Sequence, residues 1–217
     1  MKPTAALRIV LVDDQAAIRA GLKPLLEATG RVTVIAEAGD GAELLRVLDV
    51  VRPDAVLLDL SMPGMDGLEV LRALSDRPTS PPVVALTMHD DASHVDRALS
   101  LGAAGYVLKS ARPDVIVGAV EAAVDGGAFI EPSVAGRLLK RHMALGGSSR
   151  SSASGVSPRQ RDLLRGIAMG IGNKDIAHRL GLSEETVKSY LKDLYPRIGV
   201  SGRAAAAAWA IRQGIAD

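Results

Sequence analysis

The sequence contains no cysteine among its 217 residues. Disulfide bonds and thiolate metal sites are therefore excluded, and a reducing cytoplasm is the expected compartment. No run of about 18 consecutive apolar residues is present, so no segment is expected to span a membrane. The first apolar run meets Asp13 and Asp14 too early for a secretory signal peptide. A length of 217 residues suits one large domain or two small ones.

Charge is distributed unevenly, although the whole chain carries a formal charge of only +1. Residues 1–130 hold 12 lysines and arginines against 18 aspartates and glutamates, whereas residues 131–217 hold 14 against 7. An acidic half suggests a site for a cation or a phosphoryl group, and a basic half suggests nucleic acid. Ordinary solvated surface is the alternative, but so large a difference between the halves disfavours it.

Short apolar runs alternate with helical patterns through the first 130 residues. The runs predict strands at residues 8–12, 32–36, 55–58, 83–86 and 105–108. Alternation of this kind predicts an α/β fold with a doubly wound, five-stranded parallel sheet, flavodoxin-like in its order 2-1-3-4-5. A dinucleotide-binding fold is disfavoured, because the first strand leads into two aspartates rather than into a glycine-rich turn.

Polar side chains follow four of these strands at the point where each strand ends, namely Asp13 and Asp14, Asp59, Thr87 and Lys109. The carboxyl ends of parallel strands meet at one edge of a sheet, so these groups are expected to converge. Three carboxylates in one cleft repel each other unless a hard cation such as Mg²⁺ joins them. An aspartate held in this way can accept a phosphoryl group as an acyl phosphate. For Asp59 alone, a helix cap is the competing interpretation.

Residues 146–155, GGSSRSSASG, contain almost no apolar side chains and predict a flexible linker. The predicted organisation is therefore an α/β domain over residues 1–130, a connecting segment over residues 131–155 that begins as a helix, and a second domain over residues 156–217.

The second domain is predicted to be all α, with four helices. Ser157-Pro158 starts the first helix, Asn173 caps the second, Ser183 caps the third, and residues 203–213 form the fourth. Two short helices around a glycine-containing turn in a basic domain are typical of a helix-turn-helix.

The motifs IVLVDD, VLLDLSMPGMDG, ALTMHDD and GAAGYVLK resemble those of response-regulator receiver domains, over residues 7–130. The segment NKDIAHRLGLSEETVKSYLKDLYPRIGV resembles the helix-turn-helix of the LuxR/NarL family, over residues 156–217. Lys109 would neutralise the charge that develops on a transferred phosphoryl group, and the Thr87 hydroxyl would hydrogen-bond one of its oxygens. The resemblance implies that a sensor histidine kinase phosphorylates Asp59 and that Thr87 and Tyr106 act as a switch pair. It also implies a Mg²⁺ site formed by Asp13, Asp14, Asp59 and the backbone carbonyl of Ser61.

The same resemblance implies a homodimer that binds double-stranded promoter DNA after phosphorylation, with the third helix in the major groove. The groove-reading positions are Lys188, Ser189 and Lys192, and the candidate phosphate contacts are Thr186, Asn173, Lys174 and Arg203. The same analogy leaves open whether the receiver covers this helix before phosphorylation.

Three residues depart from the family pattern in the second domain. Gln160 stands where glutamate is usual, Tyr190 stands where histidine is commoner, and Pro196 removes a backbone donor late in the third helix. The helix is therefore expected to bend or end near Pro196. These departures concern DNA docking and leave the phosphorylation chemistry intact.

Two other functions compete with a phosphorylation-controlled regulator. A Mg²⁺-dependent phosphatase or phosphotransferase would use the same carboxylates, but it would leave the basic half unexplained. A DNA-binding protein with a dormant receiver would bind DNA equally well with and without phosphorylation. The resemblance favours a regulator that does not turn over a substrate.

Overall fold

The computed structural model describes residues 5–75, 77, 79–88, 92–131, 134 and 156–215. The helix predicted after residue 131, apart from Val134, and the linker predicted over residues 146–155 lie outside the described residues. Within the described ranges, no helix combines the length and apolar character needed to cross a bilayer.

The N-terminal domain is a single parallel sheet with helices on both faces. Its strands are β1 (Leu7–Val12), β2 (Val32–Ala38), β3 (Ala55–Asp59), β4 (Val83–Thr87), β5 (Gly105–Leu108) and β6 (Phe129–Ile130). Its helices are α1 (Ala16–Glu27), α2 (Gly41–Val50), α3 (Gly67–Ser75), α4 (Ala92–Ser100) and α5 (Pro113–Val124). The sheet order is β2-β1-β3-β4-β5-β6, so the predicted doubly wound fold and its order 2-1-3-4-5 are confirmed.

The predicted count of five strands was wrong, because β6 extends the sheet beyond β5. Phe129 pairs with Gly105, and Ile130 pairs with Tyr106, both in parallel register. β6 has only two residues, which is too short to produce the alternating pattern by which a strand is read from sequence.

The central strands are buried on both faces because they carry apolar residues at successive positions. Ile9 and Leu11 of β1 face one core, which includes Ile116 of α5. Val10 faces the opposite core, which includes Leu44 of α2. Polar groups are thereby excluded from the strand interiors and restricted to the strand ends.

Gly67 begins α3 directly behind the end of β3. A Cβ atom at this position would lie 2.5 Å from the Asp59 carbonyl oxygen and 2.6 Å from the Leu60 Cα. The Gly67 N–H donates to the Leu60 carbonyl at 3.2 Å. Only glycine permits this approach of backbone to backbone, so Gly67 fixes the loop that follows Asp59.

The C-terminal domain contains α6 (Pro158–Ala168), α7 (Asn173–Leu180), α8 (Glu184–Arg197) and α9 (Arg203–Arg212). Ser157 and Ser183 cap α6 and α8 as predicted, each accepting a bond from a backbone N–H three residues later. The predicted cap at Asn173 was wrong, because Gly172 is the N-cap and Asn173 is the first helical residue. α8 passes through Pro196 and ends one residue later, close to the predicted stop.

α9 lies between α6 and the N-terminal domain, where it contacts α4. The Ser201 hydroxyl, just before α9, donates to the carbonyl oxygens of Ser100 and Leu99 at the C-terminus of α4. Arg212 Nη1 lies 3.6 Å from Asp96 Oδ1 across the same surface. The two domains therefore meet along an α4–α9 seam.

Candidate functional site

The carboxyl ends of four adjacent strands form one edge of the sheet. The ladder pairs Val12 with Leu58, Asp59 with Leu86, and Thr87 with Leu108. Because these strands are parallel and in register, the residues at and just after their ends lie side by side. The predicted convergence of strand-end polar groups is therefore present.

Lys109 joins two of the three carboxylates at this edge. Its Nζ lies 2.6 Å from Asp13 Oδ2 and 2.7 Å from Asp59 Oδ2. The Lys109 side chain is 4% exposed, and those of Asp13 and Asp59 are 0% and 1% exposed. An ammonium shielded from water in this way interacts strongly with both carboxylates.

Burial by itself lowers the pKa of the Lys109 ammonium. Hydrogen bonds and charge attraction from Asp13 and Asp59 together outweigh that effect and raise the pKa above its ordinary value. Lys109 therefore remains positively charged at neutral pH and opposes the negative charge of the cluster.

Backbone amides orient the remaining oxygens of the two paired aspartates. Asp59 Oδ1 accepts from the Ser61 N–H at 3.0 Å, and Asp13 Oδ1 accepts from the Gln15 N–H at 2.9 Å. Each carboxylate is thus held by one local amide and by the shared ammonium. A carboxylate held at both oxygens keeps a fixed direction in the site.

Asp14 completes an acidic cluster that fits a divalent cation. One oxygen from each of Asp13, Asp14 and Asp59 can be chosen so that all three lie within 4.8 Å of one another. Asp14 Oδ1 is buried and has no hydrogen-bond partner among the residues that the structure describes. Three carboxylates face one ammonium, so a hard cation with oxygen ligands would satisfy the excess negative charge and the orphaned oxygen.

Thr87 and Tyr106, the predicted switch pair, lie on neighbouring strands beside the cluster. Thr87 ends β4 and is 2% exposed, while Tyr106 on β5 is fully buried opposite Ala85. The aromatic ring is thus on the inside of the domain in this structure.

The second candidate surface is the exposed side of α8. Val187, Leu191 and Leu194 face the core of the C-terminal domain. The predicted groove-reading residues are all exposed on the other side of the helix, and Lys174 of α7 is exposed as well. They are Lys188, Ser189 and Lys192. The N-terminal domain therefore leaves them uncovered in this structure.

Lys188 is paired within its own helix. Its Nζ lies 3.1 Å from Glu184 Oε1 and 3.7 Å from Glu185 Oε1. The hydrogen bond and charge of Glu184, followed by the charge of Glu185, raise the pKa of the Lys188 ammonium. Thr186 N–H and side chain both contact Ser183, so Thr186 is already engaged in the start of α8.

Two predicted phosphate contacts, Asn173 and Arg203, are instead buried against each other. The Arg203 guanidinium donates through Nη1 to Asn173 Oδ1 and through Nη2 to the Ile171 carbonyl oxygen. Asn173 is 6% exposed and Arg203 is 8% exposed. Burial lowers the pKa of the Arg203 guanidinium below its ordinary value, although the charge and hydrogen bond of Tyr195 act in the opposite direction. These two residues tie α7 to α9 and are not available to a phosphate in this structure.

One polar contact near the site gave no signal in the sequence. Glu131, just beyond β6, accepts a hydrogen bond at its Oε2 from the Leu108 N–H at 2.8 Å. Leu108 precedes Lys109 directly. Because β6 itself was not predicted, no pattern indicated that residue 131 reaches this edge of the sheet.

Comparison with protein families gives two matches that together span most of the chain. Residues 9–121 match the response regulator receiver domain, and residues 154–210 match the bacterial regulatory proteins of the luxR family. The first match ends within α5, and the second begins four residues before α6.

Full-length relatives have the same extent. The chain is 34% identical to the nitrate/nitrite response regulator protein NarL of Escherichia coli strain K12, over 93% of each sequence. It is 34% identical to the transcriptional regulatory protein LiaR of Bacillus subtilis, over 95% of this chain and 97% of LiaR.

Solved structures show the same two-domain architecture. The response regulator ChrA of a heme-sensing two-component system is 33% identical and matches with a TM-score of 0.54, over 98% of this chain and all of ChrA. The response regulator RcsB in its complex with DNA is 26% identical and matches with a TM-score of 0.57, over 95% of this chain and 98% of RcsB.

Proposed function

Since this chain belongs to the response-regulator family, in the group with a LuxR-type DNA-binding domain, we propose that a sensor histidine kinase phosphorylates it on Asp59. The observation that carries this proposal is the buried contact of Lys109 with Asp13 and Asp59 at the carboxyl edge of the sheet. In the transfer, a carboxylate oxygen of Asp59 forms a bond to phosphorus. The phosphorus–nitrogen bond to the kinase histidine breaks, and its electron pair returns to the imidazole.

The neighbouring residues have distinct roles in this proposal. Asp13, Asp14, Asp59 and the backbone carbonyl of Ser61 would hold Mg²⁺, which supplies positive charge to the phosphoryl oxygens when bound. Lys109 lies where it can exchange its contact with Asp59 for one with a phosphoryl oxygen. The Thr87 hydroxyl would bind another phosphoryl oxygen, and the Tyr106 ring would respond to the movement of Thr87.

The output proposed for this event is DNA binding by a homodimer. α8 would enter the major groove with its N-terminal part, where Lys188, Ser189 and Lys192 are exposed. Lys174 and Thr186 would contact phosphates. Two copies would place two α8 helices on half-sites about one DNA turn apart. On this proposal the protein works in the cytoplasm, where promoter DNA is reached without crossing a membrane.

Phosphorylation is tested with an acyl-phosphate donor and Mg²⁺, followed by intact mass measurement. The wild type is expected to gain one phosphoryl group, and Asp59→Asn is expected to gain none. Asp66→Asn changes a half-buried aspartate of the same loop and keeps the side-chain oxygen that accepts from the Glu69 N–H, so this control should behave as the wild type. Sustained turnover of a phosphate ester by the wild type would instead identify an enzyme.

DNA binding is tested on a duplex recovered from genomic fragments with the phosphorylated protein. Lys188→Ala and Lys192→Ala should each weaken binding, and a lysine that contacts phosphate should lower the salt slope by about one. Lys23→Ala in α1 removes a half-buried lysine of the N-terminal domain that pairs with Glu37, and this variant should bind as the wild type. Equal affinity of the wild type with and without phosphorylation would favour a dormant receiver.

A further inference from the structure

Glu131 bonds twice to the end of β5. Its N–H donates to the Tyr106 carbonyl at 3.1 Å, and its Oε2 accepts from the Leu108 N–H at 2.8 Å. The side chain thus adds one rung to the β5–β6 ladder after the backbone pairing has ended. Tyr106 is the proposed switch residue, and Leu108 is covalently joined to Lys109. Any displacement of this end of β5 is transmitted directly to residue 131.

Residues 126–131 form the β6 segment, and the end of this segment opposite to Glu131 lies against the C-terminal domain. A Cβ atom on Gly126 would lie 3.3 Å from Asn173 Nδ2, and one on Gly170 would lie 3.8 Å from the Ala128 carbonyl oxygen. Ala128 is buried and belongs to the same apolar cluster as residues of the C-terminal domain. Residues 126–128 and 131 therefore contact different domains from opposite ends of a two-residue strand.

The turn before β6 lies close against the end of α5. Gly126 has a φ of 69°, in the left-handed region that favours glycine. The Gly127 N–H donates to the Ala122 carbonyl at 2.6 Å, and a Cβ atom on Gly127 would come within 2.6 Å of that oxygen. The turn is therefore bonded to α5 directly before β6 begins.

Beyond the domain contact, the connection continues to α9. Asn173 is bonded to Arg203, the first residue of α9, and Arg203 also bonds the Ile171 carbonyl. Both side chains are buried, so a displacement of Asn173 changes the surroundings of a charged group to which little water has access to replace its partners. α9 is in turn the helix that contacts α4.

We propose that residues 126–131, the β6 segment, couple the phosphoacceptor site to the seam between the domains. This inference rests on the proposed function and specifies how the signal leaves the site. When a phosphoryl group draws Lys109 and Thr87 toward itself, the end of β5 moves and Glu131 carries β6 with it. The contacts of the β6 segment with Gly170 and Asn173 then differ between the two states, which is the condition for coupling.

The single tryptophan of the chain provides a direct reporter of the seam. Trp209 in α9 lines a small cavity of about 100 Å³ together with Leu99 and Ser100 of α4. The experiment uses the full chain with Mg²⁺, with and without beryllofluoride, and records Trp209 emission. Phosphoryl incorporation from an acyl-phosphate donor is measured separately by intact mass.

The variants separate the hydrogen bond from the charge of Glu131. Glu131→Gln keeps an acceptor oxygen at the same reach, whereas Glu131→Asp keeps the charge but is one methylene shorter. Glu131→Ala removes both. Glu121→Ala removes a surface carboxylate of α5 that pairs with Arg31, and it serves as the matched control.

The wild type, E131Q and E121A are expected to show the full emission change, while E131A and E131D show it reduced by about fivefold or more. All variants are expected to be phosphorylated as the wild type. A full emission change in E131A would overturn the coupling role, and so would loss of phosphorylation in E131A, since Glu131 would then act on the site itself. A phosphorylated wild type without an emission change would also overturn it. A wild type that takes up no phosphoryl group would overturn the proposed function instead.

Discussion

Lys109 supplies positive charge to the acidic cluster at the carboxyl edge of the sheet. It is the ammonium in contact with two carboxylates that are almost inaccessible to water. Asp14 adds a third negative charge, so the cluster keeps an excess that an added cation can neutralise. Lys109 and a bound divalent cation therefore act on the same carboxylates, and each reduces the need for the other.

Replacing Lys109 with alanine is expected to destabilise the metal-free protein by about 3 kcal/mol, because it leaves buried carboxylates without their counter-charge. Saturating Mg²⁺ is expected to recover part of this loss. Both values come from urea unfolding of the two proteins with and without Mg²⁺.

The control for this prediction is Lys23→Ala, which removes a lysine that contacts Glu37 at 3.2 Å on the surface. Exposed pairs of this kind contribute about 0–1 kcal/mol. An unfolding free energy for K109A equal to that of K23A would contradict the role given to Lys109.

Single residues differed in how well the sequence predicted their positions. Asp13, Asp59, Thr87 and Lys109 could be predicted to converge, because the end of a parallel strand fixes the edge at which a side chain lies. Arg203 could not be distinguished from a surface arginine of a basic domain. Its burial depends on how α7 and α9 pack, and that packing leaves no mark in the local sequence.

Among the helices, α6 shows how a departure from the family pattern is accommodated. Gln160 Oε1 accepts from the Ser157 N–H at 3.0 Å, and the Gln160 N–H donates to Ser157 Oγ at 3.2 Å. The amide thus completes a capping box in which glutamate is equally suited. No acidic residue lies in the first turn of α6.

Gln160→Glu is therefore expected to stabilise the C-terminal domain by about 0.3–1 kcal/mol at low salt, since it keeps the box and adds a negative charge at the helix N-terminus. Gln160→Ala should cost about 0.5–1.5 kcal/mol, since it removes the hydrogen bond from the Ser157 N–H to Gln160 Oε1 and keeps the Ser157 cap. Denaturant unfolding at low and high salt measures both, and a destabilised Q160E at low salt would contradict the expectation.

Helices and long strands were predictable as elements, whereas β6 was not. Amphipathic patterns and apolar runs placed the first five strands and their helices close to their observed positions. β6 has two residues and is stabilised by pairing with β5 and by the side chain of Glu131. Its existence is a property of the assembled sheet, so no local pattern could reveal it.

At the scale of the whole molecule, the described contacts between the two domains include those of α4 with α9 and those of residues 126–128 with Gly170 and Asn173. The Ser201 hydroxyl donates to the Ser100 carbonyl oxygen at the C-terminus of α4, where a helix leaves its last carbonyls without helical partners. Gly202 approaches within van der Waals distance of the receiver, since a Cβ atom on it would lie 3.9 Å from the Gly102 Cα. The backbones of the two domains therefore lie close together at this point of the seam.

Gly202→Leu is expected to open the seam, because its side chain extends beyond the available space, while Gly202→Ala should fit. Gly202 is in an extended conformation that any residue adopts, so both variants should fold. The expected signs for leucine are Trp209 emission at longer wavelength and a larger radius of gyration. Emission and radius unchanged from those of the alanine variant would show that the seam does not depend on this contact.

The burial of the Asp59 side chain also bears on the lifetime of the phosphorylated state. A water molecule that hydrolyses an acyl phosphate must approach the phosphorus from the side opposite to the carboxylate. Asp59 is 1% exposed, while Met88, next to Thr87, is 65% exposed. We expect exposed residues after Thr87, such as Met88, to influence how quickly water arrives, because they can be substituted without changing the buried charged cluster. The half-life of the phosphorylated state would then change while that cluster stays the same, which makes the duration of a response adjustable independently of its strength.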